Sequence, residues 1–163
     1  GMYGSSRGNV TLTDTGSTIY YHRQVAFTRS IIVAVLPVND APRFDILDQV
    51  SVWEDSDNYS APVASNITTG SPFEPEQLLT FALQQYPLYA TFGNSTSPLP
   101  MLDLLVGSPH INPQGNLSFA LARDRHGSME FGVTLYDDGG TINNGSNTSV
   151  ERRLTLTVLP VND

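Results

Sequence analysis

Seven asparagines stand in the N-x-S/T pattern: Asn9, Asn58, Asn66, Asn94, Asn116, Asn144 and Asn147. In such a pattern the side-chain amide nitrogen accepts an N-linked oligosaccharide, provided the middle residue is not proline, and none of the seven has proline there. With 11 Asn and 31 Ser plus Thr in 163 residues, chance would supply about two. The excess predicts a heavily N-glycosylated chain that has passed through a eukaryotic secretory route. Other groups fit catalytic patterns by spelling alone. GSSRG, from Gly4 to Gly8, matches G-x-S-x-G, but that motif needs a strand before it and a helix after it, and neither is available so close to the first residue. Asp124, His126 and Ser128 alternate along one segment, and same-face neighbours on a strand do not reach the geometry of a triad. Glu74 and Glu76 sit together on one short segment rather than across a cleft, as a glycosidase pair would. His22, His110 and His126 show no metal-ligand spacing. The expectation is a protein that is not an enzyme.

Charge and composition narrow the partners. The chain carries 16 acidic residues against 8 basic ones, all of them Arg, for a net charge of −8. No basic patch exists to neutralise phosphates, so nucleic acid is not an expected partner, and an anionic membrane surface is disfavoured for the same reason. Cysteine is absent, which removes disulfides and Cys-ligated metal sites. No apolar run approaches the ~18 residues of a membrane span, and no signal-peptide hydrophobic stretch opens the chain. Any export signal is expected outside the residues shown. An apolar fraction of 39% is enough to build a core.

The elements that must position these residues are written in the sequence twice. VLPVND occupies Val35 to Asp40 and returns at Val158 to Asp163, an offset of 123. At the same offset VTLTDTG, from Val10 to Gly16, falls on VTLYDDG, from Val133 to Gly139, while Thr18, Ile19 and Arg29 fall on Thr141, Ile142 and Arg152. A gapless shared offset over ~30 residues marks an internal repeat. Residues 1–40 are therefore expected to be the C-terminal half of a preceding repeat, and 41–163 one complete repeat. Within each copy apolar residues alternate: Ile31, Val33 and Val35 match Leu154, Leu156 and Val158, and Met129, Phe131, Val133 and Leu135 share a face one strand earlier. Period-2 alternation predicts half-buried strands, with Val10 and Leu12 inward and Asn9 and Thr11 outward. Further strands are expected at Val50 to Trp53, Leu79 to Leu83 and Leu117 to Leu121, the last with Asn116 and Ser118 outward. EPEQLLTFALQQY is rich in helix formers, yet Leu79, Phe81 and Leu83 alternate and Pro75 and Pro87 bracket the segment, which favours a strand. Trp53 and Phe44 are expected in core or junction packing. Tyr20 and Tyr21 replace Asn143 and Asn144 of the second copy and could mark a contact surface. The fold expected is all-β, an antiparallel β-sandwich.

VLPVNDAPRF, from Val35 to Phe44, resembles the VNDAP junction between cadherin-like, immunoglobulin-like tandem repeats of very large secreted proteins. VSVWEDS (Val50 to Ser56), GNLSF (Gly115 to Phe119) and VTLYDDGGT (Val133 to Thr141) resemble an early strand ending in Glu-Asp, a G-x-L-x-F/Y strand and a V-T-L-x-D-x-GGT strand of the same family. The stretch from Tyr86 to Pro100 departs from the pattern as an insertion. The resemblance implies extracellular stalks, adhesins and surface fibres, and it implies no enzyme. It also implies where calcium would bind, between consecutive domains: Glu54 and Asp55 after an early strand, Asp137 and Asp138 after a late one, and Asn39 and Asp40 in the junction, since calcium takes six to eight oxygen ligands. The linker has a single Asn-Asp pair, and the only Asp-x-Asp set is Asp55 with Asp57. Asp137 and Asp138 equally suit a turn held by side-chain to backbone bonds, and the fold requires no cofactor. The function expected is a structural repeat unit of an extracellular fibre, stalk or coat; the alternative is a calcium-dependent adhesion or carbohydrate-binding module. A two-stranded fragment of ~40 residues cannot cover its own apolar face, so residues 1–40 are expected to be completed by strand complementation from another copy of the chain, head to tail; the alternative is that the chain is a piece of a longer covalent array.

Overall fold

The computed structural model describes residues 3–13, 26–56, 58–87, 89–92, 95–98 and 104–162, the segments 89–92 and 95–98 by backbone only. His22, Tyr20, Tyr21, Asp57 and the sequon Asn94 lie outside the described residues. The chain divides into two compact units, Gly1–Val38 and Asn39–Asp163.

Alternation at 4–13 and 26–35 yields two ten-residue strands, β1 (Gly4–Thr13) and β2 (Ala26–Val35), paired antiparallel from Gly4↔Val35 to Thr13↔Ala26. Directly opposed residues share a face in such a ladder. Val10, Leu12, Phe27, Ile31, Val33 and Val35 therefore lie on one face. Asn9 and Thr11 lie on the other, where Thr11 and Thr28 share a 2.9 Å hydroxyl hydrogen bond and Ser30 donates to Asn9 Oδ1 at 3.1 Å. The sorting by parity follows the sequence pattern, but the burial does not: Val10, Leu12, Ile31, Val33 and Val35 are all about half exposed or more. Among the described residues of this unit, β1 and β2 have no second layer of strands over that face.

In the second unit the same alternation produces β12 (Gly127–Tyr136) and β13 (Arg152–Leu159), paired from Gly127↔Val158 to Val133↔Arg152. Each of these pairs lies 123 residues beyond a pair of β1 with β2: Gly127↔Val158 beyond Gly4↔Val35, Val133↔Arg152 beyond Val10↔Arg29. Here the apolar face is covered. Met129, Phe131, Val133, Leu135, Leu154, Leu156 and Val158 are all buried.

The remaining strands of this unit are β3 (Arg43–Ile46), β4 (Gln49–Trp53), β5 (Tyr59–Pro62), β6 (Ala64–Thr68), β7 (Thr80–Tyr86), β8 (Tyr89–Phe92), β9 (Ser95–Pro98), β10 (Leu105–Ile111) and β11 (Asn116–Leu121). One sheet has the order β4-β13-β12-β7, another β10-β11-β5, and β3 pairs with β6. All pairings are antiparallel except β4 with β13, where Val50 sits beside Leu156 and Val52 beside Val158. Phe44 from β3, Val50 from β4, Phe81 from β7, Ile111 from β10 and Leu117 and Phe119 from β11 join the β12 and β13 residues in one core. The Phe44 and Phe81 rings meet edge to face at 5.1 Å, and Tyr59 stacks on Phe119 at 4.7 Å. The unit is all-β, in an arrangement consistent with a β-sandwich.

Of the ambiguous segment at 74–86, residues 80–86 form strand β7, while 74–79 precede it as turn and irregular chain. Phe81 is buried on β7 and pairs opposite Leu135, so tertiary pairing overrides helix propensity. Trp53 departs from the expectation of core packing, being 59% exposed. Its parity explains this: Val50 and Val52 face inward, so Trp53, with Gln49 and Ser51, faces out. The insertion-like stretch contains a small hairpin, β8 with β9.

Candidate functional sites at the two ends of the second unit

At one end of β12 the junction residues are drawn into the domain. Asn39 is only 9% exposed and Pro42 and Phe44 are buried, which gives VNDAPRF a structural rationale. The Asn39 side-chain nitrogen donates to Asp137 Oδ1 at 2.8 Å, to the Gly140 carbonyl at 3.0 Å and to the Ser146 carbonyl at 2.8 Å. Its Oδ1 accepts from Gln77 Nε2 at 2.6 Å, and its main-chain carbonyl accepts from the Ser146 N–H at 3.0 Å. The three groups around the nitrogen can only accept hydrogen bonds, which fixes the orientation of the amide. The loop is shaped to receive it. A Cβ at Gly139 would collide with Asn39 Oδ1 and Gln77 Nε2, a Cβ at Gly145 would meet Asn39 Cβ at 2.9 Å, and Gly140 has φ +80°. Asp137, 6% exposed, also accepts from the Gly139 N–H at 2.9 Å, while its Oδ2, like Gln77 Oε1, is buried with no hydrogen-bond partner among the described residues. Asp138 Oδ1 accepts from the Leu78 N–H at 2.9 Å, and the Asp40 N–H reaches Glu74 Oε2 at 3.4 Å. Asp137 thus bonds the backbone of its own turn, and Asp138 the backbone of a segment 60 residues away. Asn39 departs from the expectation of a calcium ligand in one respect: it turns its nitrogen, not an oxygen, toward Asp137.

The opposite end of β12 holds the other acidic pair. Glu54, 6% exposed, accepts from the Val161 N–H through Oε1 at 2.6 Å, and its Oε2 lies 3.4 Å from His126 Nδ1. Its main-chain N–H continues the β4/β13 ladder to the Leu159 carbonyl at 2.8 Å. Asp55, with φ +60°, accepts from the Asp124 N–H at 3.4 Å, and both line a shallow groove with Ser56, Asn58, Leu121 and Arg123. Ten residues of strand at about 3.3 Å each separate this end from Asp137. Glu54 and Asp55 therefore cannot share an ion with Asn39, Asp40, Asp137 or Asp138 in the same domain. Among the described residues no three His, Asp or Glu side chains converge to hold a metal.

The catalytic spellings dissolve. GSSRG lies inside β1, a continuous strand, not at a strand-to-helix elbow. Ser128 Oγ pairs with Thr157 Oγ1 at 3.2 Å and His126 faces Glu54, so Asp124, His126 and Ser128 form no relay. Glu74 meets the Asp40 amide, and His110 is an exposed residue of β10.

Of the described sequons, Asn9, Asn58, Asn66 and Asn144 are exposed, and Asn116 and Asn147 half-buried. Asn116 points away from the core, since its neighbour Leu117 is buried. Asn66 and Asn144 have φ of +50° and +65°, the left-handed region that Asn tolerates best after Gly. Sequence reasoning missed Gln77, whose amide completes the Asn39 site. It also missed the group at Tyr86, whose hydroxyl donates to Glu151 Oε2 at 2.9 Å under the Arg153 guanidinium, 3.8 Å from the ring centre. That hydrogen bond to a carboxylate raises the Tyr86 phenol above its ordinary pKa.

The sequence matches no protein-family model, and no curated protein matches it.

Proposed function

We propose that the chain is a non-catalytic structural repeat unit of an extracellular glycoprotein fibre, stalk or surface coat, built from tandem immunoglobulin/cadherin-like sandwiches. The observation that carries this reading is the pairing register that recurs after 123 residues, since two hairpins with one register and one apolar parity are the same element used twice. The strand order supports the immunoglobulin-like type. β3 with β6, then β5-β11-β10, follows the A-B-E-D order of that sandwich, and β7-β12-β13 follows C-F-G. The exposed sequons support a secreted glycoprotein. Copies of the chain complete residues 1–40 by strand addition: β1 offers the edge that β7 covers on β12, and β2 the edge that β4 covers on β13. Such a contact is heterologous and propagates as a filament. Electron microscopy of protein from its natural source, with intact mass before and after enzymatic deglycosylation, tests the reading. Beaded filaments that lose mass on deglycosylation are expected; isolated, unglycosylated particles would overturn it.

A calcium-dependent adhesion module is the second reading, favoured by the two orphaned buried oxygens, Asp137 Oδ2 and Gln77 Oε1, at the junction end. A cation there would raise the melting temperature in a calcium titration, and Asp137→Asn would abolish the rise. An unchanged melting temperature at millimolar calcium removes this reading.

A further inference from the structure

Asn39 follows β2 by only four residues, yet it belongs to the second unit, and its five hydrogen bonds among the described residues are made there. We infer that the asparagine of each VND junction is a peg that folds as part of the domain after it, and that Asn162 seats in a following copy of the repeat as Asn39 seats in this one. The inference rests on the repeat reading and names the partner surface: the pocket of Gln77, Asp137, Gly140 and Ser146, walled by Gly139 and Gly145.

Three observations carry it. The residues that deliver the peg are identical, LPVND from Leu36 to Asp40 and again from Leu159 to Asp163, and Asn39, which has a repeat after it in this chain, is nearly buried. The pocket demands this residue type, because a carboxylate oxygen and two carbonyls converge on one point, and only a donor satisfies them. An Asp there would set oxygen against Asp137, and an empty pocket would take this donor from Asp137 and from the part-buried Gly140 and Ser146 carbonyls. Finally, the trailing end already grips the residue before the peg, through the Val161 N–H bond to the buried carboxylate of Glu54. With Val161 held by its own domain and Asn162 by the next, consecutive residues carry the two anchors and the junction has no free linker between them.

The test extends the full chain by a second copy of residues 41–163 fused directly after Asp163, so that the new junction reads VNDAPRF as at Val38 to Phe44. Segmental isotope labelling of the downstream copy lets amide exchange be read separately in each. The expected result is that Asn162→Ala raises exchange in the downstream 137–146 loop by about tenfold or more and leaves the upstream loop unchanged, with Asn39→Ala doing the reverse. Downstream unfolding in Asn162→Ala beside an intact upstream copy supports the same conclusion, since an exposed linker residue would have no such effect. If both copies fold and the downstream loop is indifferent to Asn162→Ala, the peg is overturned while the repeat reading stands. If the unsubstituted downstream copy does not fold, both fall.

Discussion

Asn39 is held by groups that it alone can satisfy, and the consequence is a steep dependence on one side chain. Asn39→Ala would remove one donor from Asp137 Oδ1, which keeps the Gly139 N–H, and would take their Asn39 partner from the Gly140 and Ser146 carbonyls and the Gln77 amide, so a loss of about 2–4 kcal/mol is expected in urea unfolding of the second unit. Gly139→Ala should be destabilising by steric conflict at the same place. Tyr86 offers a pH readout. Its phenol pKa is raised first by the hydrogen bond to Glu151, so the fold favours the neutral ring. The stabilisation this brings is present below the ordinary phenol pKa and is lost as pH climbs through the raised one, on the alkaline side only. Ultraviolet or NMR titration should show Tyr86 ionising above its ordinary value, and Glu151→Gln should bring it down. A Tyr86 titration insensitive to Glu151→Gln would contradict the assigned cause.

Between elements, the two equivalent hairpins differ in what covers them, and substitution at matched positions should expose the difference. Leu156 is 1% exposed and Val33, its counterpart 123 residues earlier, is 57% exposed. Leu156→Ala is expected to cost about 2–5 kcal/mol through lost burial and the cavity it leaves. Val33→Ala in the isolated chain should stay within about 0.5 kcal/mol, because no packing is lost. Urea unfolding at dilute concentration measures both. A large cost at Val33 there would mean that the hairpin is already covered in the free chain.

For the whole molecule, the proposed association between copies is tested at the apolar face of β1 and β2, which is exposed among the described residues. A two-stranded hairpin is marginal in water, and exposed contiguous apolar residues mark an interface. Sedimentation velocity should show the chain growing in size with concentration, and Val33→Asp, which sets a charge in the centre of that face, should hold it monomeric without changing the melting of the second unit. A chain that stays monomeric at all concentrations would contradict completion by copies of itself. Glycosylation is read at the same scale. In protein from its natural source most of the seven sequon asparagines are expected to convert to Asp on enzymatic deglycosylation, and finding most of them unmodified would contradict the excess of sequons as a signal.

The sequence by itself determined what is local or periodic. Alternation set the strands and their faces, so that Met129, Phe131, Val133 and Leu135 were legible as one buried row; Trp53, expected in the core or junction for its size, instead follows the parity of Val50 and Val52 outward. The 123-residue offset agrees with the matching register of the two hairpins, because strands that share their apolar parity at one offset bury the same rows when paired alike. Only the tertiary structure decided what meets across distance. Asn39 and Asp137 are 98 residues apart in sequence, and no spacing rule says that an amide nitrogen, with Gln77 behind it, will stand among that carboxylate and two carbonyls. The acidic residues that look like one ligand set in the sequence lie at opposite ends of β12, because β4 runs parallel to β13 and carries Glu54 away from Asp137. Burial, likewise, was undecided by pattern: Val33 and Leu156 carry the same signal, and the second layer of strands that covers one of them is a property of the assembled fold.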